Sequence, residues 1–153
     1  MNADHMVRFG VSVLLLVIPA CSRGTPVPPA SSEPSGPPPC ETGFTPPAGF
    51  EQTESFTEPY ADHLGVRQGF KDEEGRELHV FAGIPGEFGE GLPAGGSVTV
   101  STGESAAVLG KDEVWVLVWD TSGPCAARAV LGNGFGRAEF LDSLKVAGIV
   151  QRG

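Results

Sequence analysis

"EVWVLVWD", Glu113 to Asp120, decides the fold of this chain. Successive side chains of a strand point to opposite faces. Trp115, Leu117 and Trp119 therefore share one face, while Val114, Val116 and Val118 share the other. A strand that is apolar on both faces must be covered on both, which places this segment in the middle of a sheet rather than at its edge.

The neighbours of this strand read as partners for it. "TSG", Thr121 to Gly123, is a turn, and Cys125 to Leu131 runs back as an antiparallel strand. Upstream, the β-branched run "SVTVST", Ser97 to Thr102, is a strand, followed by Gly103 and a short apolar piece, Ser105 to Leu109. Further back, Leu64, Val66 and Phe70 alternate with polar positions, and "DEEG" at Asp72 to Gly75 supplies turn residues. Leu78, Val80, Ala82 and Ile84 then resume the period of two, which predicts a hairpin. Gly49 to Tyr60 begins the series with a strand ending at Glu58-Pro59, and Pro85 to Gly96 is a Gly/Pro-rich loop. On the C-terminal side, Arg137 to Ala147 sets Phe140, Leu141 and Leu144 on one helical face, with Gly148 as its stop. The expected fold class is α+β: a mostly antiparallel sheet of about six strands covered by one C-terminal amphipathic helix.

Composition agrees with this and excludes some functions. The chain of 153 residues carries 22 Gly, 14 Pro and a net charge of -9. From Cys40 onward there are 17 Asp and Glu against 8 Lys and Arg, so the acidity belongs to the domain. Nucleic acid is excluded as a partner, because phosphate binding needs clustered cations that release counterions.

The first 39 residues have a different character. After Arg8 an apolar run, Phe9 to Ile18, precedes Pro19, Ala20 and Cys21. A membrane-spanning helix needs roughly 20 apolar residues, about twice this run, so residues 1–20 read as an export signal beginning at Met1 or Met6. Ser22 to Pro39 is rich in proline and nearly devoid of large apolar residues, so residues 21–39 read as a disordered, semi-rigid tether. The globular domain then covers residues 40–153. Cys40 and Cys125 are the remaining cysteines, and export makes one disulfide between them the expected pairing.

Ile18-Pro19-Ala20-Cys21 resembles the bacterial lipobox. That resemblance implies a lipid-modified Cys21, cleavage just before it, and a protein held on the outer face of the membrane in the cell envelope; the alternative is a soluble secreted protein. "SVTVSTGESAAVL", "VWVLVW" and "RAEFLDSL" together resemble the C-terminal part of envelope domains of the LolA/RseB type. In such domains a half-open antiparallel sheet covered by helices handles lipids or senses envelope stress.

No constellation in the domain names a reaction. "GNGFGR", Gly132 to Arg137, has Arg137 where a dinucleotide fingerprint needs its third glycine, and reads as a turn into the helix. His63 and His79 are too few and too scattered for a zinc site and read as solvated or edge side chains. Ser101 or Ser105 with His79 and Asp112 would supply the residue types of a hydrolase, without a nucleophile elbow. Asp72, Glu73 and Glu74 are expected to be solvated in their turn, with ordinary acidities and without calcium-loop spacing. Trp115 and Trp119 read as core, or as one wall of an apolar groove for a lipid or peptide. The expected function is a non-enzymatic binding or interaction domain, membrane-anchored, whose partner is another envelope component. A carrier of a lipid or small apolar ligand is the alternative and a hydrolase the lesser one. No cofactor and no metal is expected.

Overall fold

In the computed structural model, which describes residues 36–153, seven strands form one sheet and a single helix covers one of its faces. The strands are β1 (Glu51–Pro59), β2 (Leu64–Lys71), β3 (Glu77–Ala82), β4 (Ala94–Thr99), β5 (Ser105–Lys111), β6 (Val114–Asp120) and β7 (Ala127–Asn133). The helix α1 spans Arg137–Val146. Every strand pair is antiparallel and the spatial order is β1-β2-β3-β7-β6-β5-β4. The expected mostly antiparallel sheet with a C-terminal helix is the architecture found. The segments expected to be a signal and a tether lie, Cys21 included and residues 36–39 apart, outside the described residues.

Three details differ from the sequence expectation. Ser105 to Lys111 is a full strand rather than a short apolar piece, which raises the count from six to seven. The strand expected over Ser97 to Thr102 starts earlier, at Ala94, and turns at Val100. The middle place in the sheet belongs to β7, with β6 beside it.

The two faces of β6 are covered by different means. Its odd-numbered residues face α1: Leu117 joins Val108, Val130, Leu78 and Val80 from neighbouring strands against Phe140, Leu144, Phe135 and Ile149, with Trp115 and Trp119 packed at the margin. On the other face the loop between β3 and β4 lies close. A Cβ at Gly89 would fall 2.9 Å from Leu109 Cδ1 and 3.5 Å from Val116 Cβ, and Phe88 packs on Phe81 with ring centroids 4.6 Å apart. The two-sided apolar pattern of "VWVLVW" thus has a helix over one side and a loop over the other.

The helix is fixed at both ends by local chemistry. At its start the Gly136 N–H donates to Glu139 Oε2 at 3.2 Å, occupying a donor that the helix leaves free. At its end Gly148, with φ of +79°, makes the left-handed turn that glycine adopts without strain. The Ile149 N–H then reaches Leu144 O (2.9 Å) and the Gly148 N–H reaches Lys145 O (3.2 Å), the paired bonds of a Schellman motif. Gly132 in β7 lets the helix approach closely. A Cβ there would stand 2.5 Å from the Phe140 ring.

The edges of the sheet differ. β4 is partly covered by the segment after the helix: Val150 pairs with Val100, and the Gln151 N–H donates to Thr99 O at 3.0 Å. β1 is open along its length, and its Glu51, Glu54, Glu58, Pro59 and a register shift at Gln52/Glu54 are features that discourage edge-to-edge pairing.

Candidate functional site

Trp115 and Trp119 share a face of β6 as their spacing requires, but they do not share a groove. The Trp115 ring lies on the backbone of Gly95 and Gly110, and its Nε1–H donates to Asp112 O at 3.0 Å. It is packed and hydrogen-bonded. Trp119, four residues on, borders a cleft of about 210 Å³ at the other end of the strand. Both indoles pack against the core, as the leading reading expected, and the alternative of a groove along both narrows to a cleft beside Trp119 alone, because Trp115 lies down on the two glycines.

Five segments build this cleft. Glu41 to Gly43 come from the segment following Cys40, Val100 to Thr102 from the β4–β5 turn, Trp119 and Thr121 from the end of β6, and Arg128 from β7. Ile149, after the helix, closes the floor. Arg128 holds the arrangement together: its Nε donates to Cys125 O at 3.0 Å and its Nη1 to the Glu41 carbonyl. Burial pushes its guanidinium below the ordinary arginine value, against the pull of Glu104 and Glu41. Among the described residues Arg128 is in no ion pair within 4.0 Å. The hydroxyl of Thr102 is engaged with Glu104, and Thr42 Oγ1 donates to Gln68 Oε1 at 3.0 Å.

The cysteines frame the same end of the sheet. Cys40 and Cys125 are paired at disulfide distance, with Cα atoms 5.7 Å apart. Cys40 is buried with Val66 and Ala82 in a small cluster against which Cys125 packs. Cys40 also joins the sheet through its backbone, donating its N–H to Leu64 O at 2.8 Å.

His63 departs from its expected place in solvent. It is 9% exposed, stacked on Tyr60 with centroids 4.8 Å apart. Its Nδ1 bonds Asp62 Oδ1 at 2.6 Å and its Nε2 bonds Gly83 O at 2.7 Å. A carboxylate and a carbonyl both accept, so both ring nitrogens must donate, and that is the imidazolium. The bond from Asp62, then the one from Gly83, accordingly raise the His63 pKa against its burial, and the same His63 contact lowers that of Asp62. This is a structural lock of the β1–β2 turn, and its partner at position 83 leaves no trace in the local sequence.

In the acidic turn Glu73 and Glu74 are exposed as expected, and only Asp72 departs from that reading. Asp72 is not solvated: it accepts from Arg76 Nε at 2.7 Å, from the Arg76 N–H at 2.9 Å and from the Glu74 N–H at 3.0 Å. Burial would raise its pKa, but these bonds and the Arg76 charge outweigh that and hold it below the carboxylate range. Arg76 also lies over the Phe135 ring at 5.2 Å, so the turn is tied to the entrance of α1.

The other candidates are dispersed. His79 lies on the face of β3 opposite Leu78 and Val80, as expected, but it is half-buried on an interior strand rather than solvated or at an edge, because Glu54 of β1 reaches over β2 to within 3.3 Å of it. Ser105 and Asp112 flank opposite ends of β5, and Asp112 is spent on the β5–β6 turn with φ of 55°. β3 is separated from β5 by two strands, about 14 Å at ~4.8 Å per strand spacing. A serine, His79 and Asp112 do not converge. Gly132 to Arg137 runs from β7 through a turn into α1, and Arg137 Nε is bound to Gly95 O at 2.8 Å. Among the described residues no group of three or more His, Cys, Asp or Glu is placed to hold a metal ion.

No protein-family model, no curated protein and no solved structure matches the chain. The reading of its function therefore rests on the residues themselves.

Proposed function

We propose that this protein is a cell-envelope lipoprotein, anchored through Cys21 to the outer face of the membrane, whose acidic β-rich domain is a non-enzymatic binding module. The observation that carries the reading is the pairing of Cys40 with Cys125. The chain has three cysteines, so this pair leaves Cys21 alone, at the end of a short apolar run and before a proline-rich stalk. Disulfides persist in oxidising compartments, where an exported chain resides. A multiply acylated cysteine would hold such a chain more firmly than the marginal grip of one acyl chain.

Binding rather than catalysis is supported by the dispersal of Ser101, Ser105, His79 and Asp112. The carrier reading has two concavities in its favour, the cleft beside Trp119 and one of about 470 Å³ lined by Phe50, Gln52, Lys71 and Asp72 among others. Yet both are open and about half polar, whereas pockets for apolar ligands are enclosed and lined mostly by apolar side chains. The helix-covered face is occupied by Leu117, Phe135, Phe140 and Leu144, all fully buried. The resemblance to LolA/RseB-type domains thus suggests a related envelope setting more than a shared lipid cavity.

Fractionation tests the anchor. The native chain should sediment with membranes and incorporate labelled palmitate, and Cys21→Ala should lose both properties. Equal membrane association of the variant, or a mature chain that retains Met1 or Met6 with a free thiol at position 21, would overturn the assignment.

A further inference from the structure

The lining of the cleft beside Trp119 combines two unlike kinds of residue. One is carbon: the Trp119 indole with Val100 and Ile149. The other is polar and includes Ser101, Glu41 and Arg128. Several of these polar groups are uncommitted among the described residues. Two of the three guanidinium nitrogens of Arg128 are bound to carbonyls, which fixes the plane of the group and leaves Nη2 without a partner. The Ser101 hydroxyl has no hydrogen bond, and neither does Trp119 Nε1, in contrast to its counterpart on Trp115. Donors and acceptors thus share one cleft with an aromatic surface, next to the Cys40–Cys125 pair.

Charge selects among ligands. A half-buried arginine by itself would call for an anion, but Glu41 and Glu104 both act on this one, and the domain as a whole is acidic. An anionic ligand would meet Glu41 in the lining and the acidity of the domain around it, and a cationic one would meet the guanidinium. A neutral ligand is left, one that gives and takes hydrogen bonds along its rim and offers C–H groups to the indole. At about 210 Å³ the cleft holds the equivalent of roughly seven waters at ~30 Å³ each, a compact molecule rather than an acyl chain.

We propose that this cleft binds one pyranose ring of a neutral saccharide, stacked on Trp119 and hydrogen-bonded by Ser101, Glu41 and Arg128, either as a free sugar or as a unit of a glycan chain. The proposal rests on the reading of the domain as a binding module and gives that module its ligand. It is independent of anchorage: a soluble chain with an unmodified Cys21 would still bind sugar, and a lipidated chain that binds none would leave the anchor intact.

The test is a titration of the isotope-labelled full chain carrying Cys21→Ala, followed through its two indole N–H resonances and the Arg128 Nε–H. Glucose, galactose, N-acetylglucosamine and the β-linked tetramer of the last are the probes, with acetate as the anionic control. Expected is a saturable shift of the Trp119 and Arg128 signals with at least one sugar, at a Kd on the order of 1 mM, while Trp115 stays still. Ser101→Ala, at an exposed turn position, should keep the dispersed spectrum of the fold and weaken binding about fivefold, the loss of one neutral hydrogen bond. Tighter binding of the tetramer than of its monomer would assign the glycan chain as the source, and equal binding the free sugar. The proposal is overturned if no sugar moves Trp119 by about 100 mM, if acetate saturates the site where sugars do not, or if Ser101→Ala binds as tightly as the parent.

Discussion

Reducing the bond between Cys40 and Cys125 should destabilise the domain by about 4.5 kcal/mol. The two residues are 85 apart in sequence. In the chain-entropy model, closing a loop of about 86 residues removes roughly 15 cal/mol/K from the unfolded ensemble, or ~4.6 kcal/mol at 25 °C. For a domain of this size about 4 °C of melting temperature accompanies each kcal/mol, so the midpoint should fall by roughly 18 °C. The assay is equilibrium unfolding in guanidinium, with the oxidised chain compared with the same chain kept reduced, so that no side chain is exchanged. Because the effect acts on the unfolded state, the slope m should also rise on reduction as the released chain exposes more surface. A difference below about 1 kcal/mol, or an oxidised sample in which peptides containing Cys40 and Cys125 run separately after non-reducing digestion, would refute the reasoning.

Three further outcomes follow from the packing. The His63 pKa is raised in the fold above its ordinary 6.5, so the stability from its two bonds is fully present below pH 6.5 and is lost as pH climbs through the raised value. The native melting temperature should therefore decline more steeply above pH 6.5 than that of His63→Gln, and parallel pH profiles would contradict the imidazolium assignment. Phe140→Ala should cost about 3–5 kcal/mol in chemical unfolding, since the ring is fully buried between α1 and the sheet; a loss under about 1 kcal/mol would mean that the helix does not close this core. Gly132→Ala should cost about 1–3 kcal/mol by pressing a methyl group into the Phe140 ring. In the double variant with Phe140→Ala that penalty should largely vanish, and simple additivity would argue against the contact.

What could be read in the sequence was whatever repeats locally. The period of two in Leu78, Val80 and Ala82 gave β3, the unbroken apolar run gave β6, and Phe140, Leu141 and Leu144 with Gly148 gave α1 and its stop. The start of β4 was hidden because Ala94-Gly95-Gly96 has the composition of a loop; its glycines are there to receive the Trp115 ring and a turn of the backbone. Spacing placed Trp115 and Trp119 on one face but could not distinguish their two ends of the strand. The cleft escaped because its parts come from five separate segments, and the only local hint was Arg128, a single charge within the apolar "AARAVLG". His63 escaped for the same reason, since its acceptor is a backbone carbonyl 20 residues away.

The route by which the chain enters the sheet has a mechanical consequence. Pro39 bridges to Leu64 and Cys40 is joined to Cys125 just before β7. Tension arriving through residues 36–39 therefore passes across a covalent link to the doorstep of the central strand, and the exposed β1 carries little of it. A pull applied there would load the sheet at its middle instead of unzipping it from its rim, so the domain should yield at higher force with the sulfurs joined than with them parted.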